Sequence, residues 1–96
     1  DVALVSVAAM VEFRDGVLAE VRLAAGSVAG VPMRLRCAED VLRGQEASPA
    51  LFAEASMKAM TEVNPITDLR AGADYRRQLV GVYVRRALQA LCTEES

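Results

Sequence analysis

The chain has 96 residues, of which 53% are hydrophobic and 25% are charged, and its formal net charge is −2. This length suits one compact domain with a core of its own. The net charge argues against a nucleic-acid-binding domain, because such domains need a basic excess to displace counterions from phosphates. The longest uncharged runs, residues 2–11 and 23–33, fall short of the roughly 20 apolar residues that span a bilayer. No membrane span is therefore expected.

Two apolar alternations at the start of the chain predict an antiparallel hairpin. Every odd position from Val2 to Phe13 is apolar, and so is every odd position from Val17 to Ala25. A period of two with one apolar face is typical of a half-buried strand.

The short linker between these segments allows two registers. A two-residue turn pairs Phe13 with Leu18 and turns the polar side chain of Glu20 toward the core. A three-residue loop that ends at Gly16 pairs Phe13 with Val17 and brings the two apolar faces together. Because a buried face specifies register strongly, the three-residue loop is predicted, with Gly16 in a left-handed conformation.

The middle of the chain predicts a turn, a short strand and a short helix. Gly26 to Pro32 forms the turn, and residues 33–36 form a third strand after the proline, which cannot donate to a ladder. A helix follows from Ala38 to Arg43, and Gly44 ends it in a left-handed conformation. The acidic pair Glu39-Asp40 lies near the start of this helix and favours its dipole.

The second half of the chain predicts two longer helices. Ser48 caps the first and Pro49 occupies its first position, and Asn64-Pro65 ends it. Its apolar stripe consists of Phe52, Ala55, Ala59, Met60 and Val63. The last helix, from Ala73 to Leu91, has a broad apolar arc and should pack on more than one side. Its narrow polar face consists of Asp74, Gln78, Arg85 and Gln89.

Arginines on the last helix raise a question of charge pairing. Arg76 projects into the apolar arc, and Arg77 and Arg86 lie near its flanks. An unpaired buried cation is costly, so an internal partner is expected among Asp68, Glu39 and Asp40. The alternative is that these side chains extend outward along their aliphatic stems.

Strands first and helices after predict an α+β fold. We expect a small antiparallel sheet of three to four strands packed against about three helices. Residues 1–96 form a single domain in this interpretation. The chain starts inside an apolar alternation, so we expect it to be a piece of a longer polypeptide.

No constellation of catalytic residues is present in the sequence. There is no histidine, the commonest general base and metal ligand. Cys37 and Cys92 are far apart without CxxC spacing, which predicts free thiols in a reducing compartment such as the cytoplasm. Residues 26–30 lack the GK[ST] and GxGxxG patterns of phosphate-binding loops. We therefore expect no catalytic, cofactor-binding or metal-binding residue in this chain.

Three stretches, in order, carry a resemblance to a known family. They are the hairpin with Asp1-Val2-Ala3 at its start and Asp15-Gly16 at its turn; Gly26 to Pro32 followed by Ala38 to Gly44, similar to G-G-x-A-x-x-P and A-E-x-x-L-x-G; and Asp68-x-Arg70 with Tyr75-Arg76, similar to D-x-R-x-x-x-x-Y-R. Together they resemble the C-terminal domain of flavoprotein subunits in carbon monoxide dehydrogenase, xanthine dehydrogenase and related molybdenum hydroxylases. Ser27 departs from the pattern, where the family often has a second glycine.

The resemblance implies a non-catalytic domain of an oxidoreductase subunit that carries FAD mainly in domains upstream of this one. Its partners would be those domains together with iron–sulfur and molybdopterin subunits, along which electrons pass from molybdenum through [2Fe–2S] clusters to the flavin. The motif positions are expected to be structural: Gly16, Gly26, Pro32, Glu39, Gly44, Asp68, Arg70, Tyr75 and Arg76. The alternative is a free-standing interaction or dimerisation module with the same fold and no flavin.

Overall fold

The computed structural model describes residues 5–27, 32–63 and 72–95 of the chain. Along these residues the elements are β1 (Val5–Arg14), β2 (Val17–Ser27), β3 (Met33–Arg34), α1 (Arg36–Leu42), α2 (Pro49–Glu62) and α3 (Gly72–Glu95). The strands form an antiparallel sheet in the order β1-β2-β3, and the helices follow. The predicted α+β fold is confirmed.

The turn of the β1–β2 hairpin is shorter than predicted. Arg14 pairs with Val17, so Asp15 and Gly16 alone form the turn. Both have a positive φ, 56° and 83°, which suits the right-handed twist of a two-residue hairpin turn. The left-handed conformation of Gly16 is confirmed, and the three-residue loop is wrong.

A β-bulge reconciles this turn with a buried apolar face. Phe13 pairs with Leu18, but Glu12 pairs with Glu20, so Ala19 is an extra residue on β2. The bulge changes which positions face the core, and Leu18 and Val21 are both fully buried while Glu20 is exposed. Neither of the two registers that the linker allows contains this extra residue, which satisfies both constraints.

Open space around Gly16 allows a test of the turn by substitution. No atom lies within 4 Å of the Cβ that a side chain at Gly16 would add, so a clash is not at issue there. Gly16→Val should nevertheless lower the free energy of unfolding by about 2 kcal/mol, because a β-branched residue is strained at positive φ. Ala8→Val, at an exposed and regularly paired strand position, is the control and should be nearly neutral in urea unfolding. Equal losses in the two variants would contradict the strained turn.

The third strand is only two residues long, shorter than the predicted 33–36. Leu35 is fully buried, and its amide donates to the carbonyl of Leu23 at 2.8 Å. The chain then enters α1 at Arg36, two residues earlier than predicted. Gly44 follows this helix with φ 81°, which confirms its left-handed conformation.

The start of α2 agrees with its prediction. The Ser48 hydroxyl accepts a hydrogen bond from the Leu51 amide at 3.1 Å, and Pro49 is the first helical residue. The buried residues of this helix are Phe52, Ala55, Ser56 and Ala59. Of the predicted stripe, Met60 and Val63 are only half-buried.

The long helix α3 packs against both α2 and β1, so it contacts other elements on more than one side, as predicted. Its buried row, Val80, Val84, Leu88 and Cys92, has a spacing of four residues. The predicted polar positions Gln78, Arg85 and Gln89 are exposed. Within the described residues, no helix is long and apolar enough to cross a membrane.

Candidate functional site

The most deeply buried charged group of the described residues is the carboxylate of Glu39. Ala38 and Leu42 are fully buried on the inner face of α1, and so is Leu35 just before the helix. Glu39 lies four residues after Leu35 and is on the same face, with 1% of its surface exposed. A carboxylate at such a position needs partners, because an unpaired buried charge is strongly destabilising.

Arg34 supplies the principal partner of this carboxylate. Its Nε donates to Oε2 of Glu39 at 2.9 Å, and its terminal NH2 donates to Oε1 at 2.8 Å. Two parallel bonds of this kind form the planar, charge-assisted pair that arginine favours with carboxylates. The pair joins β3 to α1.

The Leu23 amide of β2 also donates to Oε2 of Glu39, at 2.9 Å. Beyond the Ala24–Arg34 pair, the Leu35 amide still donates to the Leu23 carbonyl, but the chain then turns into α1 and no strand carbonyl faces the Leu23 amide. A buried amide at this position would otherwise lack an acceptor. The Glu39 side chain therefore takes the role of a missing strand carbonyl and fastens α1 to the sheet.

A second arginine completes the charge balance at the edge of the site. One terminal nitrogen of Arg43 lies 3.8 Å from Oε1 of Glu39, and the other donates to Oδ1 of Asp40 at 2.8 Å. Asp40 is 71% exposed, so its pair with Arg43 is a surface interaction.

The pKa values of the pair follow from these contacts. Burial alone would raise the pKa of Glu39, but the hydrogen bonds from Arg34 and Leu23 and the charges of Arg34 and Arg43 outweigh it. The pKa of Glu39 is therefore lower than its usual value, and the pKa of Arg34 is raised, chiefly by its hydrogen bond to Glu39. The carboxylate stays ionised at neutral pH.

These contacts add to the roles predicted for the acidic pair. Glu39 was predicted to favour the helix dipole or to pair with an arginine of the last helix, and in the described part of the chain it pairs with Arg34. Asp40 pairs with Arg43. Nothing in the sequence pattern marks Arg34 as the partner. The available signal was the position of Glu39 on the apolar face of its helix.

A second carboxylate, from a distant part of the chain, caps the N-terminus of α1. The residue before this helix, Leu35, has no side chain that can accept a hydrogen bond. Oε2 of Glu62, in the last turn of α2, accepts from the Ala38 amide at 2.8 Å instead. A carboxylate is unfavourable at the C-terminus of its own helix, and this was the sequence signal that something else requires it there.

Removal of this cap should weaken the attachment of α1 to α2. Glu62→Ala is expected to lower the free energy of unfolding by about 1 kcal/mol and to speed amide exchange at Ala38. Glu54→Ala, at an exposed position on the same helix, is the matched control. Unchanged exchange at Ala38 in the Glu62 variant would show that this carboxylate does not cap the helix.

The other predicted motif positions are dispersed along the fold. Gly16 and Gly44 adopt positive φ at two turns, and Gly26 pairs with Ser6 across the hairpin. Pro32 is exposed just before β3. Asp68 and Arg70 lie outside the described residues, as do the side chains of Tyr75 and Arg76 in α3. The predicted pairing of Arg76 lies there too.

An open groove among the described residues offers poor complementarity to a nucleotide cofactor. Its volume is about 610 Å³, and it lies between the start of β2, the loop after α1 and the start of α2. Glu46 and Glu54 line it, and their charge would repel a diphosphate. The groove therefore does not fit FAD.

Side chains that could carry redox chemistry or bind a metal do not cluster in the part of the chain that the structure describes. Cys37 is exposed, Cys92 is buried, and the two are not joined by a disulfide bond, as predicted. Within the same residues, no three carboxylate or cysteine side chains come together as metal ligands would. The Glu39 carboxylate is already held by Arg34 and the Leu23 amide. Chemically, this arrangement holds structure together.

A family model of the CO dehydrogenase flavoprotein C-terminal domain matches residues 1–91. The nicotine 6-hydroxylase medium subunit of Paenarthrobacter nicotinovorans is 35% identical over 88 residues, which are 92% of this chain and 31% of that subunit. The glyceraldehyde dehydrogenase medium chain of Sulfolobus acidocaldarius is 29% identical over 93% of this chain and 32% of that one.

Solved structures agree with this assignment. Carbon monoxide dehydrogenase from Hydrogenophaga pseudoflava superimposes with a TM-score of 0.80 at 31% identity, over 92% of this chain and 31% of that one. Quinoline 2-oxidoreductase from Pseudomonas putida 86 superimposes with a TM-score of 0.79 at 26% identity, over the same shares of the two chains, 92% and 31%. The chain thus spans about a third of the length of the relatives it matches. With a match over nearly all its residues and the same fold, the chain belongs to the family of CO dehydrogenase flavoprotein C-terminal domains.

Proposed function

We propose that this chain is the C-terminal domain of the FAD-carrying medium subunit of a cytoplasmic molybdenum-containing hydroxylase or dehydrogenase. Its role is non-catalytic: it completes the subunit in which the flavin receives electrons from the molybdenum and [2Fe–2S] centres. The observation that carries the proposal is the match of residues 1–91 to a flavoprotein C-terminal domain. Its partners are the upstream FAD-binding domains and the iron–sulfur and molybdopterin subunits.

The chemistry of the Glu39 site supports a scaffold role. A catalytic carboxylate needs a free lone pair or a proton near the reacting atoms. The Glu39 carboxylate instead accepts three hydrogen bonds from Arg34 and Leu23, and its lowered pKa keeps it ionised. Its contribution is to fix β2, β3 and α1 relative to one another.

The same reasoning extends to the motif Asp68, Arg70, Tyr75 and Arg76, which we propose to be structural. Tyr75 and Arg76 belong to the first turns of α3, a helix that packs against both α2 and β1. An arginine at the base of such a helix would anchor it through an internal carboxylate.

A comparison of stability with turnover tests the scaffold role. Glu39→Gln and Arg76→Met would be introduced into the whole FAD subunit, and the yield of folded subunit, FAD content and turnover per bound flavin would be measured. The proposal expects a lower yield with turnover per flavin nearly unchanged. A normal yield with full FAD content and lost turnover would identify a docking or electron-transfer residue instead.

A binding experiment on the 96-residue chain separates this proposal from its alternative. Titration with FAD should leave the flavin fluorescence nearly unchanged, because the sequence has neither the GK[ST] nor the GxGxxG pattern and the groove beside Glu46 and Glu54 is acidic. A stoichiometric complex at micromolar affinity would overturn the proposal. A stable dimer in sedimentation at micromolar concentration would favour the free-standing interaction module.

A further inference from the structure

The contact between α2 and α3 is built around a methionine and a glycine. Gly81 is buried in the middle of α3. A Cβ at Gly81 would lie 2.6 Å from Sδ of Met60 and 2.8 Å from its Cγ, closer than Cβ atoms approach. The thioether of Met60 therefore occupies the space that the absent side chain of Gly81 leaves free. The two helices approach closely at this point because of that pair.

The same thioether borders an open cleft. The cleft has a volume of about 280 Å³ and is lined by Met57, Met60, Gly81 and the polar side chains of Gln78 and Arg85. Met60 is half-buried, whereas Met57, one turn earlier on the same helix, is 67% exposed. A molecule only slightly larger than water can enter this cleft and reach the Met60 side chain. No part of the family assignment concerns this cleft.

We propose that Met60 is an oxidation site at which hydrogen peroxide converts the thioether to a sulfoxide and thereby loosens the α2–α3 contact. A sulfur lone pair attacks one peroxide oxygen, the O–O bond breaks, and hydroxide leaves. That hydroxide takes the proton of the oxygen now bound to sulfur, which gives methionine sulfoxide and water. The sulfur loses two electrons and the peroxide gains them.

The packing explains why this oxidation has a structural effect. The new S–O group is polar and larger than the thioether, and the side facing Gly81 has no room for it. The side chain must rotate toward the cleft, which removes its contact with Gly81. Met57 has no such contact with that glycine, so its oxidation should leave the fold unchanged. The neighbouring methionine is thus an internal control.

Peroxide treatment of the 96-residue chain tests the proposal. Peptide mapping by mass spectrometry would follow each methionine, with Met10, 53% exposed on the sheet, as a reference for a freely reacting side chain. Met57 and Met60 should both gain one oxygen in the folded chain. The folded-to-unfolded ratio should fall about tenfold, which corresponds to a fall of roughly 1 M in the urea midpoint.

Two leucine variants assign the effect to one sulfur. Met60→Leu, compared with its own untreated form, should keep its urea midpoint after peroxide, whereas Met57→Leu should lose stability like the parent chain. Treatment of the oxidised parent chain with methionine sulfoxide reductase should restore the midpoint, and this readout needs no substitution. Met60 remaining unoxidised while Met10 and Met57 react would overturn the proposal. An unchanged midpoint despite full oxidation of Met60 would overturn it equally.

Discussion

Glu39→Ala is expected to lower the free energy of unfolding by about 3 kcal/mol, a large part of the stability of a domain this size. The substitution removes both bonds to Arg34 and leaves the Leu23 amide without its acceptor. Loss of Glu39 costs more than its hydrogen bonds contribute, because the Leu23 amide stays buried without an acceptor. Urea unfolding followed by circular dichroism measures the change.

The control for this experiment lies one residue further along the chain. Asp40→Ala removes the surface pair with Arg43, which should cost less than about 1 kcal/mol. The two variants remove carboxylates from the same helix and differ mainly in burial. Equal losses would contradict the distinction between a buried structural pair and a surface pair.

The dependence of stability on pH provides a second test of the same group. The folded pKa of Glu39 lies below the value of about 4.3 that glutamate has in unfolded chains. The stability it contributes is therefore fully present above that value and is lost as the pH falls toward the folded pKa. Glu39→Gln should flatten this acid limb of the stability profile. A limb of unchanged steepness would mean that other carboxyl groups produce it.

Leu18→Ala should cost about 3 kcal/mol, because the side chain is fully buried and its loss leaves a cavity. Val17→Ala should cost less than about 1 kcal/mol, since Val17 is only half-buried. The comparison tests the β-bulge directly. The regular three-residue-loop register would have placed Val17 inward, so a larger loss at Val17 than at Leu18 would favour that register.

Features that depend on a few neighbouring residues could be predicted from the sequence. The start of α2 depends on Ser48, Pro49 and the Leu51 amide, all within three residues. The left-handed conformations of Gly16 and Gly44 could be predicted from residue type, because glycine has no Cβ that opposes a positive φ. The α+β order rests on patterns of period two and period 3.6, and the family resemblance rests on three motif stretches in order. Both are visible in the sequence alone.

The register of the hairpin required information from elsewhere in the chain. The Leu18 amide donates to the Gln45 carbonyl at 2.9 Å, and the Gly44 amide donates to the Leu18 carbonyl at 2.7 Å. The loop after α1 thus forms hydrogen bonds with the edge of β2 that faces away from β1. These bonds fix the backbone orientation of Leu18, whose side chain is buried in the core. The sequence of the hairpin alone does not indicate this contact. The bulged register therefore could not be predicted from it.

The carboxylates show the same contrast between what the sequence predicts and what tertiary packing decides. The sequence marked Glu39 as part of a family motif. Its hydrogen-bond partners, the Leu23 amide and Arg34, are near it only because β2 and β3 pack against α1. Glu62 reaches the Ala38 amide only because α2 folds back beside α1. Burial makes each carboxylate require a donor, and this requirement can be inferred from residue type and helical face. Which donor satisfies it is decided by tertiary packing, because only packing brings residues distant in the chain within 3 Å of one another.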